Sequence, residues 1–118
     1  MERNLEEAKK RIRGIIPSKN NPVYNSNMYW SQKAYNICDV LIEELSCENE
    51  TVFDPFMGSG VTILESVRTK YKRKAIGCEI NEAPLTIVKT LLKNYDLDDY
   101  HKESQNLILK LDEQWRFN

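Results

Sequence analysis

The chain has 118 residues, enough for one domain at most, since ordinary domains span roughly 50 to 250 residues. Hydrophobic residues make up 41% of it and charged residues 30%, which excludes a disordered chain and is typical of a globular domain. The formal net charge of −1 argues against this chain supplying the main phosphate-binding surface of a nucleic-acid-binding protein, because such surfaces need clustered Lys and Arg.

The cysteines and the apolar runs limit the class of protein further. The three cysteines have no CxxC spacing and the chain has one histidine, so we expect no metal site and predict reduced, mostly buried thiols. No apolar run approaches the roughly 18 residues that cross a membrane. Residues Met1–Asn4 lead into a charged helix and not into the apolar core of a signal peptide. A cytoplasmic protein is the resulting prediction.

The N-terminal part begins with a predicted helix and continues as a polar segment. Residues 5–15 mix charged and apolar side chains as a short amphipathic helix does, and Gly14 and Pro17 end it. Between Pro17 and Tyr29 the sequence is rich in asparagine, which predicts an ordered loop or a mobile arm without a packed element. Ser31 is then a suitable N-cap for a helix with an apolar stripe over residues 34–45.

Strands and helices alternate in the middle of the chain. Thr51–Phe53 and Ala75–Ile80 are predicted buried strands, and a helical pattern from Val61 lies between them. Asn81 is a suitable cap for the following helix, in which Pro84 is tolerated in the first turn. This order predicts an α/β fold with parallel strands and flanking helices.

The sequence divides into three predicted segments. An N-terminal helix and polar loop occupy residues 1–28, and the α/β core occupies residues 29–95. The remaining segment, residues 96–118, is predicted to be an acidic connection followed by a helix from about His101.

The turn Asp54–Gly60, between the first strand and its helix, is the most informative stretch. Gly58 and Gly60 let the backbone approach a ligand, and helix N–H groups point into the same space. Ligands of open α/β sheets bind beyond the carboxyl ends of the strands. No Lys follows Gly60 as in a phosphate-binding loop, and the GxGxxG dinucleotide pattern is absent. Asp54 would repel phosphate, but it suits the ammonium and sulfonium charges of S-adenosylmethionine.

A second carboxylate, Glu79, follows near the end of the next predicted strand. Because adjacent parallel strands end at one edge of the sheet, Asp54 and Glu79 are expected to lie together there. Glu79 is placed to accept hydrogen bonds from two ribose hydroxyls, which is the task of an acid at this point of nucleotide-binding folds. Ile80 is placed to pack on an adenine ring.

These residues resemble a known family. Residues 54–62, DPFMGSGVT, are similar to the DPFxGSGTT motif of DNA amino-methyltransferases, with Val61 in place of Thr. Residues 75–81 resemble the strand that carries the ribose-binding acid. Residues 29–34, YWSQKA, are more distantly similar to the HPTxKP element beside the cofactor's methionine end. The resemblance covers roughly residues 29–92.

The resemblance implies a partial Rossmann-like methyltransferase fold with S-adenosylmethionine as cofactor and adenine or cytosine in DNA as target, with adenine slightly favoured. The residues that it assigns to the cofactor are Asp54, Pro55, Phe56, Met57, Gly58, Ser59, Gly60, Glu79, Ile80, Ser31, Gln32 and Lys33. Glu65 is assigned a structural or solvated role.

One required motif is missing. Members of the resembled family bind the target amine with an Asp, Asn or Ser followed by Pro-Pro and an aromatic residue, and the prolines here are isolated. No catalytic residue is therefore assigned, and we expect the chain alone to be inactive. Its expected partners are DNA through the complete enzyme, a catalytic half or subunit, and a second copy through an exposed sheet edge, without a membrane. An RNA guanine methyltransferase fragment and a non-catalytic methyltransferase-like protein are the alternatives.

Overall fold

A computed structural model describes residues 4–68, 70–94 and 96–116. Three parts of the sequence-based prediction lie outside this range. They are residues 1–3 of the N-terminal segment, residue 95 at the predicted end of the α/β core, and the last two residues of the C-terminal segment. Within the described residues, six helices and two strands follow one another in the order α1 (Leu5–Arg13), α2 (Pro22–Asn25), α3 (Tyr35–Leu45), β1 (Thr51–Asp54), α4 (Val61–Val67), β2 (Lys74–Gly77), α5 (Glu82–Leu91) and α6 (Leu97–Arg116).

The sheet consists of two strands in the described residues, and they are parallel as predicted. Thr51 is opposite Lys74 and Asp54 is opposite Gly77. Beyond this pairing the Cys78 amide donates to the Asp54 carbonyl at 3.0 Å, and the Met57 amide donates to the Cys78 carbonyl at 3.0 Å. The second strand therefore ends at Gly77 and not at the predicted Ile80, because the backbone beyond it is bound to the turn that follows β1.

The strands are less buried than their sequence predicts. Phe53 is 60% exposed and Ile76 is 54% exposed, so the described residues cover one face of the sheet and leave the other open. Met57, Ile63 and Val88 form a small buried cluster against Ala75 on the covered side. Parallel sheets are normally covered on both faces, so this two-layer arrangement is incomplete.

Helix α4 joins the sheet to a larger core. It packs on β1, β2 and α3, and α1 packs on α3. Glu43 and Glu44 of α3 form ion pairs with Arg11 of α1, the pair with Glu43 at 2.9 Å. The buried side chains of this core are Tyr24, Cys38, Ile42, Val61, Leu64 and Tyr71.

The polar segment after α1 is packed, contrary to the sequence-based prediction. Asn21 caps the short helix α2 by accepting a hydrogen bond from the Val23 amide at 3.0 Å, and Pro22 occupies its first turn. This turn places Tyr24 in the core with 3% exposure. A buried aromatic ring contributes enough apolar area to fix a segment that is otherwise polar.

The predicted cap of α3 is also wrong. Ser31 is exposed and lies outside the helix, which begins at Tyr35 without a side-chain cap. The Tyr35 amide donates instead to the Ser18 carbonyl at 3.2 Å, and the Asn36 side chain bonds the Ser18 amide and the Ile16 carbonyl. A distant backbone segment thus satisfies the helix end, which local sequence rules do not foresee.

Helix α6 starts earlier than predicted. The Asp96 carboxylate accepts from the Asp98 amide at 2.9 Å and from the Asp99 amide at 3.2 Å, so the supposed acidic connection is a cap and a first turn. His101 lies inside this helix. Within the described part of the chain, no helix combines the length and apolar character that a membrane crossing requires.

Candidate functional site

The turn after β1 has the left-handed backbone that its glycines predict. Gly58 has φ +53° and Gly60 has φ +78°, values that side chains other than glycine rarely adopt. Gly60 precedes the first residue of α4, and its carbonyl accepts from the Leu64 amide at 2.8 Å. The turn therefore reverses the chain within a few residues and starts α4 at the end of β1.

Packing also requires these glycines. A Cβ added to Gly58 would lie 2.7 Å from Cε1 of Tyr29, and one added to Gly60 would collide with Cγ2 of Val88. The Tyr29 ring thus brings the segment of residues 29–34 against the glycine turn. The sequence predicted that this segment and the turn belong to one site, and their contact is the geometry that such a site needs.

Asp54 is buried and organises the turn. Its Oδ1 accepts from the Phe56 amide at 3.1 Å, and its Oδ2 accepts from Nζ of Lys33 at 3.0 Å. Burial raises the pKa of Asp54, but hydrogen bonds from Lys33, Thr62 and the Phe56 amide outweigh burial and leave it below the ordinary value. The carboxylate predicted to face a cationic ligand therefore already faces a lysine.

Lys33 lies at the centre of this contact. Its ammonium also donates to the Phe56 carbonyl at 3.1 Å, so it binds both the strand end and the turn. Its side chain is still 42% exposed. An ammonium with this much exposure retains hydrogen-bonding capacity toward a ligand, because it has three donors.

Glu79 closes the other side of the turn. Its Oε2 accepts from the Gly58 amide at 3.0 Å and its Oε1 accepts from the Asn81 amide at 2.8 Å. Asn81 in turn caps α5 by accepting from the Ala83 amide at 3.0 Å, as predicted. Each carboxylate oxygen keeps a lone pair for a further donor, since a carboxylate has about four acceptor positions.

A cleft of about 430 Å³ lies beside Glu79. Its lining residues are Pro55, Phe56, Cys78, Glu79 and Ile80. Phe56 is 83% exposed and Ile80 is 99% exposed, so two free apolar side chains flank one carboxylate. Cys78 is exposed at this cleft, in contrast to the predicted burial of the thiols, while Cys38 is buried and Cys47 half-buried. The cleft combines apolar walls with one charged acceptor, which is the usual composition of a small-ligand site.

The other predicted site residues do not all face this cleft. Met57 and Ser59 are buried, and the Met57 side chain belongs to the core cluster under the sheet. The Gln32 amide donates to the Tyr24 carbonyl at 3.1 Å, and Ser31 points to solvent. The turn therefore bonds Asp54 and Lys33 through Phe56 and bonds Glu79 through Gly58, while Lys33 and Asp54 line a different cavity from Glu79.

Sequence reasoning missed two parts of the site. It did not foresee that Thr62 and Lys33 both bond Asp54, nor that Tyr29 packs on Gly58. It also missed that Glu65 has a buried partner: the Glu65 carboxylate accepts hydrogen bonds from the Tyr24 hydroxyl and from Arg68. The Asn-Pro start of α2 was the available signal for Tyr24, because it marks a helix start in a segment that otherwise looks like a loop.

A second cavity of about 470 Å³ lies between α3 and β1. Leu41, Leu45 and Val52 give it apolar walls, and Lys33 and Asp54 reach it from the turn. Within the described residues, the sheet has the order β1-β2, and the edge of β1 away from β2 is therefore unpaired.

The Asp54 interaction leads to a testable acid dependence. Because the folded-state pKa of Asp54 lies below the ordinary value of 3.8, its contribution to stability is present above about pH 4 and is lost as the pH falls. Lys33→Met should remove part of that contribution, about 1 kcal/mol after allowance for the exposure of the lysine. Urea unfolding at pH 7 and pH 3 measures it. The exposed Lys19→Met is the control; an equal acid loss in wild type and Lys33→Met would contradict the prediction.

Together these features define a class of protein: an α/β protein with a ligand-sized cleft at the carboxyl ends of parallel strands, next to a two-glycine turn. A family model described as DNA methylase matches residues 2–90, well over half of the chain, and the chain belongs to this family. No curated protein and no solved structure gives a significant match. The sequence-based assignment to the DNA amino-methyltransferases is confirmed. Family membership implies DNA as substrate and a methyl donor as cosubstrate, whereas α6 lies outside the matched residues.

Proposed function

We propose that this chain is the S-adenosylmethionine-binding part of a DNA methyltransferase that acts on the exocyclic amine of adenine or cytosine. The observation that carries the proposal is the bond between Glu79 and the Gly58 amide, which joins the end of the second strand to the glycine turn beside the cleft. On this proposal residues 29–95 form the cofactor-binding core of a Rossmann-like domain that is partial here.

The chemistry of the cleft fits the adenosine end of the cofactor. Glu79 accepts hydrogen bonds from the two ribose hydroxyls with the lone pairs that the backbone leaves free. Phe56 and Ile80 pack on the faces of the adenine, which accounts for two large apolar side chains exposed beside one carboxylate. Pro55 lines the same cleft, and the turn Gly58–Gly60 is joined to it by the bond from the Gly58 amide to Glu79.

The methionine end of the cofactor is assigned to Lys33. Its ammonium attracts the carboxylate of the methionine group, while Asp54 holds the ammonium in place from the opposite side. In this proposal Asp54 acts through Lys33 and the turn and not by direct contact with the cofactor's cations. Ser31 and Gln32 are proposed as outer contacts at the same end.

In this proposal the residues of this chain bind and orient the cofactor, and they perform no proton transfer. The cofactor supplies an electrophilic methyl group on a sulfonium. The chain holds it in a fixed direction, which converts methyl transfer into a reaction of two aligned groups. The target base must be extruded from the duplex and its amine bound by the motif that this sequence lacks. We therefore propose that the chain alone is inactive.

The outer edge of β1 is the proposed docking position of a catalytic half. An unpaired strand edge accepts a further strand. Alternatively, the same edge of a second copy of this chain could pair there. The match to DNA methylases favours DNA over RNA as the substrate of the complete enzyme.

Calorimetric titration of the folded chain with S-adenosylmethionine tests the cofactor assignment. We expect binding, and Glu79→Ala should weaken it by about tenfold to a hundredfold, because two hydrogen bonds to a charged acceptor are lost. Glu82→Ala is the matched control, since Glu82 is an exposed acid three residues further along the chain. Circular dichroism establishes that each variant is folded. A folded wild-type chain that binds no cofactor, or equal affinities for all three proteins, would contradict the proposal.

The missing Pro-Pro motif supports one second candidate, a non-catalytic methyltransferase-like protein. The two candidates differ in what a partner can restore. Methyl transfer to DNA after addition of a chain that carries the missing motif would exclude the non-catalytic alternative.

A further inference from the structure

Helix α6 is amphipathic, and the rest of the described chain leaves it uncovered. Its large apolar side chains recur at helical spacing, and all of them are exposed. Those on one face are Leu97, Tyr100, Leu107, Ile108, Leu111 and Trp115. A single helix of this length, about 30 Å, is marginal in water without tertiary packing. This face therefore needs an occupant.

The face has the spacing of a coiled-coil seam. Taking Leu97 as position a, the a positions are Leu97, Ser104 and Leu111 and the d positions are Tyr100, Leu107 and Gln114, so four of the six seam positions carry large apolar or aromatic side chains. Glu103 and Lys110 are then successive g positions, one heptad apart on the same flank of the seam. Because these two opposite charges lie on one flank, they face different residues in a parallel and in an antiparallel pair of such helices.

We propose that α6 pairs with α6 of a second copy of this chain in antiparallel orientation. In that orientation a positions meet d positions and g positions meet g positions, so Glu103 of each copy lies opposite Lys110 of the other. The small Ser104 then lies opposite the large Leu107, Tyr100 lies opposite Leu111, and Leu97 lies opposite Gln114 at each end of the pair. Two-fold symmetry produces each of these contacts twice.

A parallel pair fits less well. There g positions meet e positions of the other helix, so Glu103 would meet Ile108 and Lys110 would meet Trp115. Both charges would then lack a complement, and Ser104 would face Ser104 in the seam. Charge complementarity and the large-small pairing select the antiparallel dimer, independently of cofactor binding.

Sedimentation velocity of the whole chain over a concentration series tests this dimer. We expect a concentration-dependent shift from the 13.9 kDa chain to twice that mass. Glu103→Lys and Lys110→Glu each place like charges opposite one another twice, and each should weaken the dimer by about tenfold. The double variant exchanges the charges and should restore the wild-type dissociation constant.

Matched controls lie on the opposite side of the helix. Glu113→Lys and Lys102→Glu make the same charge changes on exposed residues away from the seam, and should leave dimerisation unchanged. A chain that stays monomeric at every concentration overturns the proposal. So does a dimer that neither single reversal weakens, which would point to the β1 edge, and a double exchange that fails to restore pairing overturns the antiparallel orientation.

Discussion

Gly60→Ala is expected to lower the free energy of unfolding by about 3 kcal/mol. A side chain at φ +78° costs roughly 1 to 2 kcal/mol, because a Cβ crowds the following carbonyl in the left-handed region. The added methyl also collides with Val88, a buried residue under the sheet, and overpacking of this kind adds roughly 1 to 3 kcal/mol. Urea unfolding followed by circular dichroism measures the sum.

Two variants separate the causes of this loss. In a Val88→Ala background the collision is relieved, so the cost of alanine at position 60 should fall to the backbone part alone. Gly14→Ala is the control, since Gly14 has φ −89° and an added Cβ would make only ordinary contact with the Arg11 carbonyl. Equal effects at Gly14 and Gly60 would show that the turn after β1 does not need its left-handed backbone.

Glu65→Ala is expected to cost about 3 kcal/mol of stability. Glu65 is 1% exposed, its Oε2 accepts from Arg68 at 2.6 Å, and its Oε1 accepts from the Tyr24 hydroxyl. Alanine leaves that hydroxyl buried without an acceptor and opens a cavity beside it. Urea unfolding at pH 7 measures the loss, and a variant as stable as wild type would contradict this account.

The matched variant removes both polar partners. Tyr24→Phe combined with Glu65→Leu leaves no orphaned hydroxyl, so it should be markedly more stable than Glu65→Ala. An alkaline titration gives a second check. Burial and then the bond to Glu65 raise the pKa of Tyr24, so its contribution to stability is complete below about pH 10 and is lost as the pH rises further. Tyr24→Phe should lessen that alkaline loss.

The parts of the fold that sequence predicts are those set by neighbours along the chain. The glycine turn and the Asn81 cap each depend on residues within a few positions, and both are present. The parallel pairing of β1 and β2 is also present, and the strand-helix-strand order of the chain predicts it. The cap of α6 by Asp96 follows the same local rule as the Asn81 cap, so the acidic residues that resemble a connection in sequence are the cap and first turn of this helix.

The parts that sequence does not predict depend on distant contacts. Ser31 is a good cap by type, but Ser18 supplies the acceptor for the end of α3 from another segment. Asp54 is an acid at a strand end, but whether it faces a ligand or a lysine depends on where Lys33 folds. Composition marks β1 and β2 as buried strands, while their actual burial depends on what else covers the sheet.

The open face of the sheet, where Phe53 and Ile76 are exposed, has a consequence for the life of the protein in a cell. Bare apolar surface of this kind is what chaperones and quality-control proteases bind. A chain synthesised in excess of whatever covers that face would be retained or degraded. Its steady-state abundance would then be limited by the amount of surface available to cover that face.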